Sequence, residues 1–228
     1  MKIFIDPGHG GSDTGAVGIK GTKESDIVLK VGLALKSILE NMGITVEMTR
    51  NTDEKVTLAS RTEAANKAGA DLYISIHCNG SAASGAHGTE VYSYPGNTNG
   101  EILAKKVLEH ICNDIGTTSR GAKQENFAVL RLSDMPAILV ESAFITNADE
   151  EKMMLETGFN IKMANAIAKG ISSYTGISMP GVGEHWGEPY LKSLIKKGYI
   201  SDEAAWSNFD GCPTIAMLLA LADKIAKE

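Results

Sequence analysis

The stretch KIFIDPGHGG, residues 2–11, decides how the chain is built. Lys2 to Asp6 alternates and then runs apolar through Ile3, Phe4 and Ile5. That reads as a short buried strand stopped at Pro7. Glycines then leave the chain open around His9, and Gly8 to Gly21 reads as loop. From Glu24 to about Met42 the apolar residues Ile27, Val28, Val31, Leu35, Ile38 and Leu39 recur at three and four. This spacing predicts an amphipathic helix, closed by Gly43.

Working outward, the pattern repeats. Ile44 to Thr49 reads as strand, and Thr57 to Ala68 as helix stopped by Gly69. Leu72 to Ile76 is a strand flowing into His77, and Thr89 to Tyr94 is another. Glu101 to Ile115 is a helix. Phe127 to Arg131 and Ala137 to Val140 are two more short strands. Residues Glu150 to Tyr174 are helical, broken around Thr157-Gly158. Strands alternating with helices imply an α/β fold, with a mostly parallel sheet and helices on its faces. Residues 176–184 (GISMPGVGE) are rich in Gly and Pro and read as a linker. Residues 185–228 read as a small all-α segment, with Pro213 well placed at the first turn of its last helix.

The chain has 228 residues, enough for one domain and part of another. At 43% apolar and 22% charged, wholesale disorder is excluded. A net charge of −6 with no basic stripe argues against nucleic-acid binding. Cys78, Cys112 and Cys212 are odd in number and in no CxxC pair. That excludes a disulfide framework and a cysteine zinc site. No secretion leader is expected ahead of the first strand, and no window of the sequence is long and apolar enough for a membrane span. The expectation is synthesis in the cytoplasm without a signal peptide, and no membrane insertion.

In α/β sheets the site lies at the carboxyl ends of the strands. His9 follows the first strand, His77 ends the third and Glu141 ends the last. Glu24 opens the first helix, where it can face those ends. Imidazole and carboxylate are good zinc ligands, and a catalytic zinc takes three plus a water. Plainer readings stand beside this one. A lone histidine is often structural, and a first-turn glutamate is favoured by the helix dipole. Glu141 is harder to set aside, because it follows the buried run Ala137 to Val140. A carboxylate there is costly unless paired or functional. His87, His110 and His185 fall in a loop, on a polar helix side and at the start of the second segment. HExxH, GK[ST] and GxSxG are absent. Cys78 points opposite to His77 on a strand and reads as packing.

Five strings carry a family resemblance: IDPGHGG (5–11), KESDIVLKVGLAL (23–35), RTEAANKAGADLYISIHCN (61–79), GTEVYSY (88–94) and LRLSDMPAILVESAFITN (130–147). In this order the chain resembles the family-3 zinc-dependent N-acetylmuramoyl-L-alanine amidases over about residues 2–174. The resemblance implies a twisted sheet of about six strands with helices on both faces. It implies one zinc ion held by His9, Glu24 and His77, with Glu141 as the catalytic carboxylate. Asn79 shares the face of His77 and is expected to contact substrate. The implied reaction cuts peptidoglycan between N-acetylmuramic acid and L-alanine. Asp6 and Arg61 are expected to orient the site, Asp6 by accepting a ring N–H from a ligand histidine. A turn-forming role for Asp6 before Pro7 is the alternative.

The segment HWGEPYLKSLIKKGYI…TIAMLLALADKI is similar to one S-layer-homology-like helical unit, although Ile215 follows Thr214 where arginine often stands. Two roles remain open for it. One is wall binding through Trp186, Tyr190, Tyr199 and Trp206. The other is homo-oligomerisation through Ile215, Leu218, Leu219, Leu221 and Ile225. For the whole chain, a phage or prophage endolysin acting on the wall after release is the first expectation. A mother-cell sporulation amidase, a zinc peptidase on stem peptides and a non-catalytic wall-binding protein are the alternatives.

Overall fold

Six strands form one sheet: β1 (Lys2–Pro7), β2 (Thr45–Met48), β3 (Leu72–Asn79), β4 (Thr89–Ser93), β5 (Ser119–Gln124) and β6 (Ala137–Phe144). Their order is β2-β1-β3-β6-β4-β5. All neighbours run parallel except β4 and β6, which are antiparallel. This computed structural model describes residues 1–83, 85–179 and 196. The chain divides into two units after Ile177, and the whole sheet belongs to the first. Most of the expected linker (176–184) and the expected helical segment (185–228) lie outside the described residues. The aromatic and apolar residues singled out in that segment lie there too.

Side chains alternate across a strand, so each strand serves two layers. Phe4, Tyr73, Ala137 and Leu139 point to one face. There they pack with Ala65 of α2 (Leu58–Ala68) and with Val129 and Leu130 of α4 (Ala128–Arg131). Ile3, Ile5, Ile74, Ile76, Ile138 and Val140 point to the other face and are fully buried. Helices α1 (Glu24–Asn41) and α3 (Thr98–Ile115) cover that face, and α6 (Phe159–Thr175) packs against both. A short α5 (Ala148–Met154) precedes α6, separated from it at the Thr157-Gly158 break. The architecture is the expected α/β one, with helices on both faces. No helix among the described residues is long and apolar enough to cross a membrane.

One expected strand moves. Phe127 to Arg131 is not a strand; it is the single helical turn α4, closed by Arg131 N–H donating to the Phe127 carbonyl at 2.9 Å. Its apolar residues fit either geometry, and burial of Val129 and Leu130 against α2 selects the turn. The sixth strand is instead β5, whose sequence SRGAKQ has no apolar alternation. It is an edge strand defined by pairing with β4, and its charges suit an exposed edge. Two other strands are longer than their apolar runs. β3 continues past His77 to Asn79, and β6 past Glu141 to Phe144.

Candidate active site

The register sets the site. Pro7 pairs with Ile76, and the Gly8 N–H donates to the Ile76 carbonyl at 3.0 Å. His77 is the register partner of Glu141, and Glu141 is the register partner of Glu90. A single row thus crosses four strands: Gly8, His77, Glu141, Glu90. It lies on the face of Phe4 and Tyr73, beyond the last apolar layer. Gly8 makes room for the row, because a Cβ there would fall 2.2 Å from Cε1 of His77.

His9 adopts a left-handed backbone, with φ 59°. That conformation is uncommon for a residue with a side chain and needs support from its surroundings. Two buried arginines supply it. Arg61 Nη1 donates to the Pro7 carbonyl at 2.9 Å, and Nη2 to the His9 carbonyl at 2.7 Å. Arg50 Nε donates to the Pro7 carbonyl at 3.0 Å, and Nη2 to the carbonyls of Gly8 and Ser25 at 2.8 and 2.9 Å. The loop is therefore tied both to the sheet and to the start of α1.

Glu24 is the first residue of α1 and is buried. Its Oε1 lies 2.9 Å from His77 Nδ1 and 3.2 Å from His9 Nε2, and accepts the Cys78 N–H at 3.0 Å. Its Oε2 accepts the Ala16 N–H at 2.8 Å. Gly15 leaves the space for this, since a Cβ there would lie 2.4 Å from Glu24 Oε2 and 2.6 Å from His9 Cδ2. One ligand atom from each of His9, Glu24 and His77 lies within 4.8 Å of the others. Four donors around zinc at about 2.0–2.1 Å stand about 3.3 Å apart. The two nitrogen–oxygen spacings are close to that edge, so two imidazoles and a carboxylate could hold a metal ion here.

The charges follow from these contacts. Burial acts to raise the Glu24 carboxyl, but His77 and His9 override it and hold it well below the usual range. The Glu24 hydrogen bond, against the pull of burial, lifts His9 to about 9, with Asp13 Oδ2 3.0 Å from its Nδ1 adding to the lift. Burial works to lower His77, yet Glu24 and Glu141 leave it raised. Glu141 goes the other way. Burial raises its carboxyl to about 7; the His77 charge opposes, and Glu24 and Glu90 reinforce. Its Oε2 is buried without a hydrogen-bond partner among the described residues. A carboxylate held near neutrality beside a polar cluster suits proton transfer.

The other expected residues sit as follows. Asp6 is fully buried, and its oxygens meet Arg61 Nη1 at 2.6 Å, Thr49 Oγ1 at 2.7 Å and Ser75 Oγ at 2.8 Å. Those bonds go to groups other than a histidine ring, and Asp6 bears on the site by fixing Arg61. Asn79 donates from Nδ2 to Glu90 Oε2 at 3.0 Å and accepts the Gly80 N–H at 2.9 Å. Cys78 is buried with Sγ 3.5 Å from Ser142 Oγ, and burial pushes its thiol well above the usual value. His87 and His110 contact the Gly85 carbonyl and Ser173 instead of the cluster. Arg50 and Glu90 were not singled out in the sequence. A charged residue inside the strand pattern TEVYS is the one local signal for Glu90.

Two histidines by the strand ends and a glutamate at a helix start, with a further carboxylate kept near neutrality, make a donor set that a mononuclear metal-dependent hydrolase could use. The family described as N-acetylmuramoyl-L-alanine amidase (Amidase_3) matches residues 3–173, and the chain belongs to it. It is 39% identical over 181 residues to the amidase CwlM of Bacillus licheniformis, covering 78% of this chain and 70% of that protein. It is 38% identical over 174 residues to the sporulation-specific amidase of Bacillus subtilis, covering 75% and 67%. It is 37% identical over 178 residues to the endolysin of Bacillus phage SPP1, covering 75% and 64%. Among solved structures, the amidase AmiC2 of Nostoc punctiforme matches with a TM-score of 0.74 at 37% identity, over 77% of this chain and 97% of that one.

Proposed function

We propose that residues 1–175 form the catalytic domain of a zinc-dependent peptidoglycan amidase. It hydrolyses the amide between the lactyl group of N-acetylmuramic acid and L-alanine. The observation that carries this reading is the meeting of His9, Glu24 and His77 beside Glu141, in a chain of this family. His9, Glu24 and His77 would hold the ion. Bound there, zinc supplies Lewis acidity toward the amide carbonyl and toward water.

The chain's own residues do the rest. Glu141 accepts a proton from the attacking water as its oxygen bonds to the carbonyl carbon. It then delivers that proton to the departing L-alanine nitrogen as the C–N bond breaks. Burial raises its carboxyl to about 7 in the metal-free chain, a range suited to taking up and releasing a proton. The Arg50 and Arg61 bonds hold the His9 loop in place throughout.

The products test the reading. Digestion of purified wall should release peptides with a free N-terminal L-alanine and leave their internal bonds intact. New termini within the stem peptide would mean a zinc peptidase, and no product at all a non-catalytic wall-binding protein.

For the setting we favour an endolysin that reaches the wall after release from the cytoplasm. The similarity to the SPP1 endolysin supports this. The comparable similarity to the sporulation-specific amidase keeps a mother-cell enzyme as the second reading. Residues 185–228, joined through a linker at 176–184, would then bind wall polymer or pair the chain with a second copy. Removing everything after Tyr174 separates these: lost wall pull-down supports binding, and a fall from two copies to one per particle in solution supports pairing.

A further inference from the structure

The row of side chains does not stop at Glu90. The Glu90 side chain is only 5% exposed, and its Oε1 lies 2.6 Å from Arg120 Nε and 2.7 Å from Lys123 Nζ. Its Oε2 accepts from Asn79 Nδ2 and from the Tyr92 hydroxyl. Glu90 is therefore fully engaged and fixed from both sides. The two cations are fixed in turn. Arg120 stacks 4.9 Å from the Phe144 ring centroid and donates from Nη1 to the His87 carbonyl. The Lys123 ammonium lies 5.9 Å from the Tyr92 ring centroid. Both stay partly in solvent, 38% and 40% exposed. Glu90 balances one positive charge, so the pair presents a surplus of one toward solvent. Arg120 Nη2 makes no bond among the described residues, and Lys123 has donors to spare.

The spacing gives this surplus a use. β5 is two strands from β6, about 9–10 Å across the sheet at the usual strand separation. The group leaving beside Glu141 is the amino end of a peptide. An extended peptide advances about 3.3–3.6 Å per residue. Its second or third residue then reaches β5.

We propose that Arg120 and Lys123, clamped by Glu90, form a subsite that binds a free carboxylate on the second or third residue of the leaving peptide. This rests on the amidase reading above. Asn79 and Tyr92 act in it as positioning residues, through Glu90. Guanidinium and ammonium groups held in place on a half-exposed edge are suited to charge-assisted hydrogen bonds with a carboxylate.

The test uses the full zinc-loaded chain and synthetic N-acetylmuramoyl tripeptides. They are made in pairs that differ only by carboxylate or carboxamide, at residue two in one pair and residue three in the other. The wild type should favour the carboxylate member of one pair by about tenfold or more in kcat/KM, chiefly through KM. Arg120→Gln and Lys123→Gln should each shrink that ratio, and Arg120→Lys should preserve more of it than Arg120→Gln. Single variants carry the test because each leaves Glu90 one cation. A ratio near one in the wild type overturns the proposal. So does an equal loss on both members of a pair, which is what a purely structural role would give. Failure to cleave any of the four substrates overturns the amidase reading itself.

Discussion

His77 and Glu141 are register partners across the parallel pair β3–β6, so a cluster histidine and a carboxylate held near neutrality stand side by side on neighbouring strands. Strand register fixes this relation, and no loop movement is needed to assemble it. The two residues should nevertheless separate by function. Glu141→Gln keeps the size and removes the proton acceptor. It should retain zinc and lose about 10²–10⁴-fold in kcat. His77→Ala should lose metal and activity together. Elemental analysis beside the turnover assay checks both. Wild-type turnover in Glu141→Gln would remove Glu141 from the chemistry.

Gly15 should be as sensitive as a ligand. Its φ of 64° disfavours any side chain, and a Cβ would press on both Glu24 Oε2 and His9 Cδ2. Gly15→Ala should therefore displace two of the three cluster residues while leaving the sheet intact. The expected result is near-native circular dichroism with a zinc affinity reduced by about tenfold or more, an order taken from the cost of disturbing ligand-orienting groups. Undiminished affinity would show that the loop moves aside freely.

Much of the fold and the site is legible in the sequence. The helix at Glu24 and the strands at Lys2 and Leu72 carry strong periodicity, and glycines mark their limits. His9, Glu24 and His77 fall at or near element ends, where an α/β sheet places its chemistry, and Glu141 closes an apolar run although β6 continues past it to Phe144. The features that stay hidden depend on pairing. SRGAKQ becomes a strand only because β4 offers it hydrogen bonds, so nothing local distinguishes it. FAVLR is equally apolar as strand or turn, and α2 decides. Arg50 and Glu90 matter largely through distant partners, Ser25 at 25 residues and Arg120 at 30, which only the folded register reveals.

Burial of Glu141 has a pH signature in the metal-free protein. Its carboxyl is raised from 4.5 to about 7, so between those values the folded chain holds more proton than the unfolded one. Stability from this group therefore falls as pH rises through that window, and the deficit is complete above about 7. Glu141→Gln removes the titration. Relative to wild type, the variant should gain on the order of 3 kcal/mol between pH 4 and pH 8. Urea unfolding of both metal-free proteins at the two pH values checks it. A difference that does not change with pH would mean that Glu141 is hydrated in the unloaded site.

The last prediction concerns Asp6 and Arg61, an ion pair at 2.6 Å with both side chains almost wholly buried. Burial alone would raise the Asp6 carboxyl, and Arg61 more than offsets it, leaving it lowered. Arg61→Met strands that charge, leaves the His9 carbonyl without its donor and leaves the Pro7 carbonyl to Arg50 alone. Removing one partner of a buried pair costs about 3–5 kcal/mol. Asp6→Asn differs, because Arg61 would keep both carbonyls and Asn could still meet Thr49 and Ser75. Arg61→Met should thus lower both stability and zinc affinity, whereas Asp6→Asn should lower mainly stability. In the double variant the uncompensated charge is gone, so its loss of stability should be smaller than the sum of the single losses. Its zinc affinity should stay low, because the His9 carbonyl still lacks its donor. Zinc titration and urea unfolding of the three variants separate the two effects. Full recovery of zinc affinity in the double variant would show that Arg61 acts only by neutralising Asp6, and that the His9 loop holds its left-handed turn unaided.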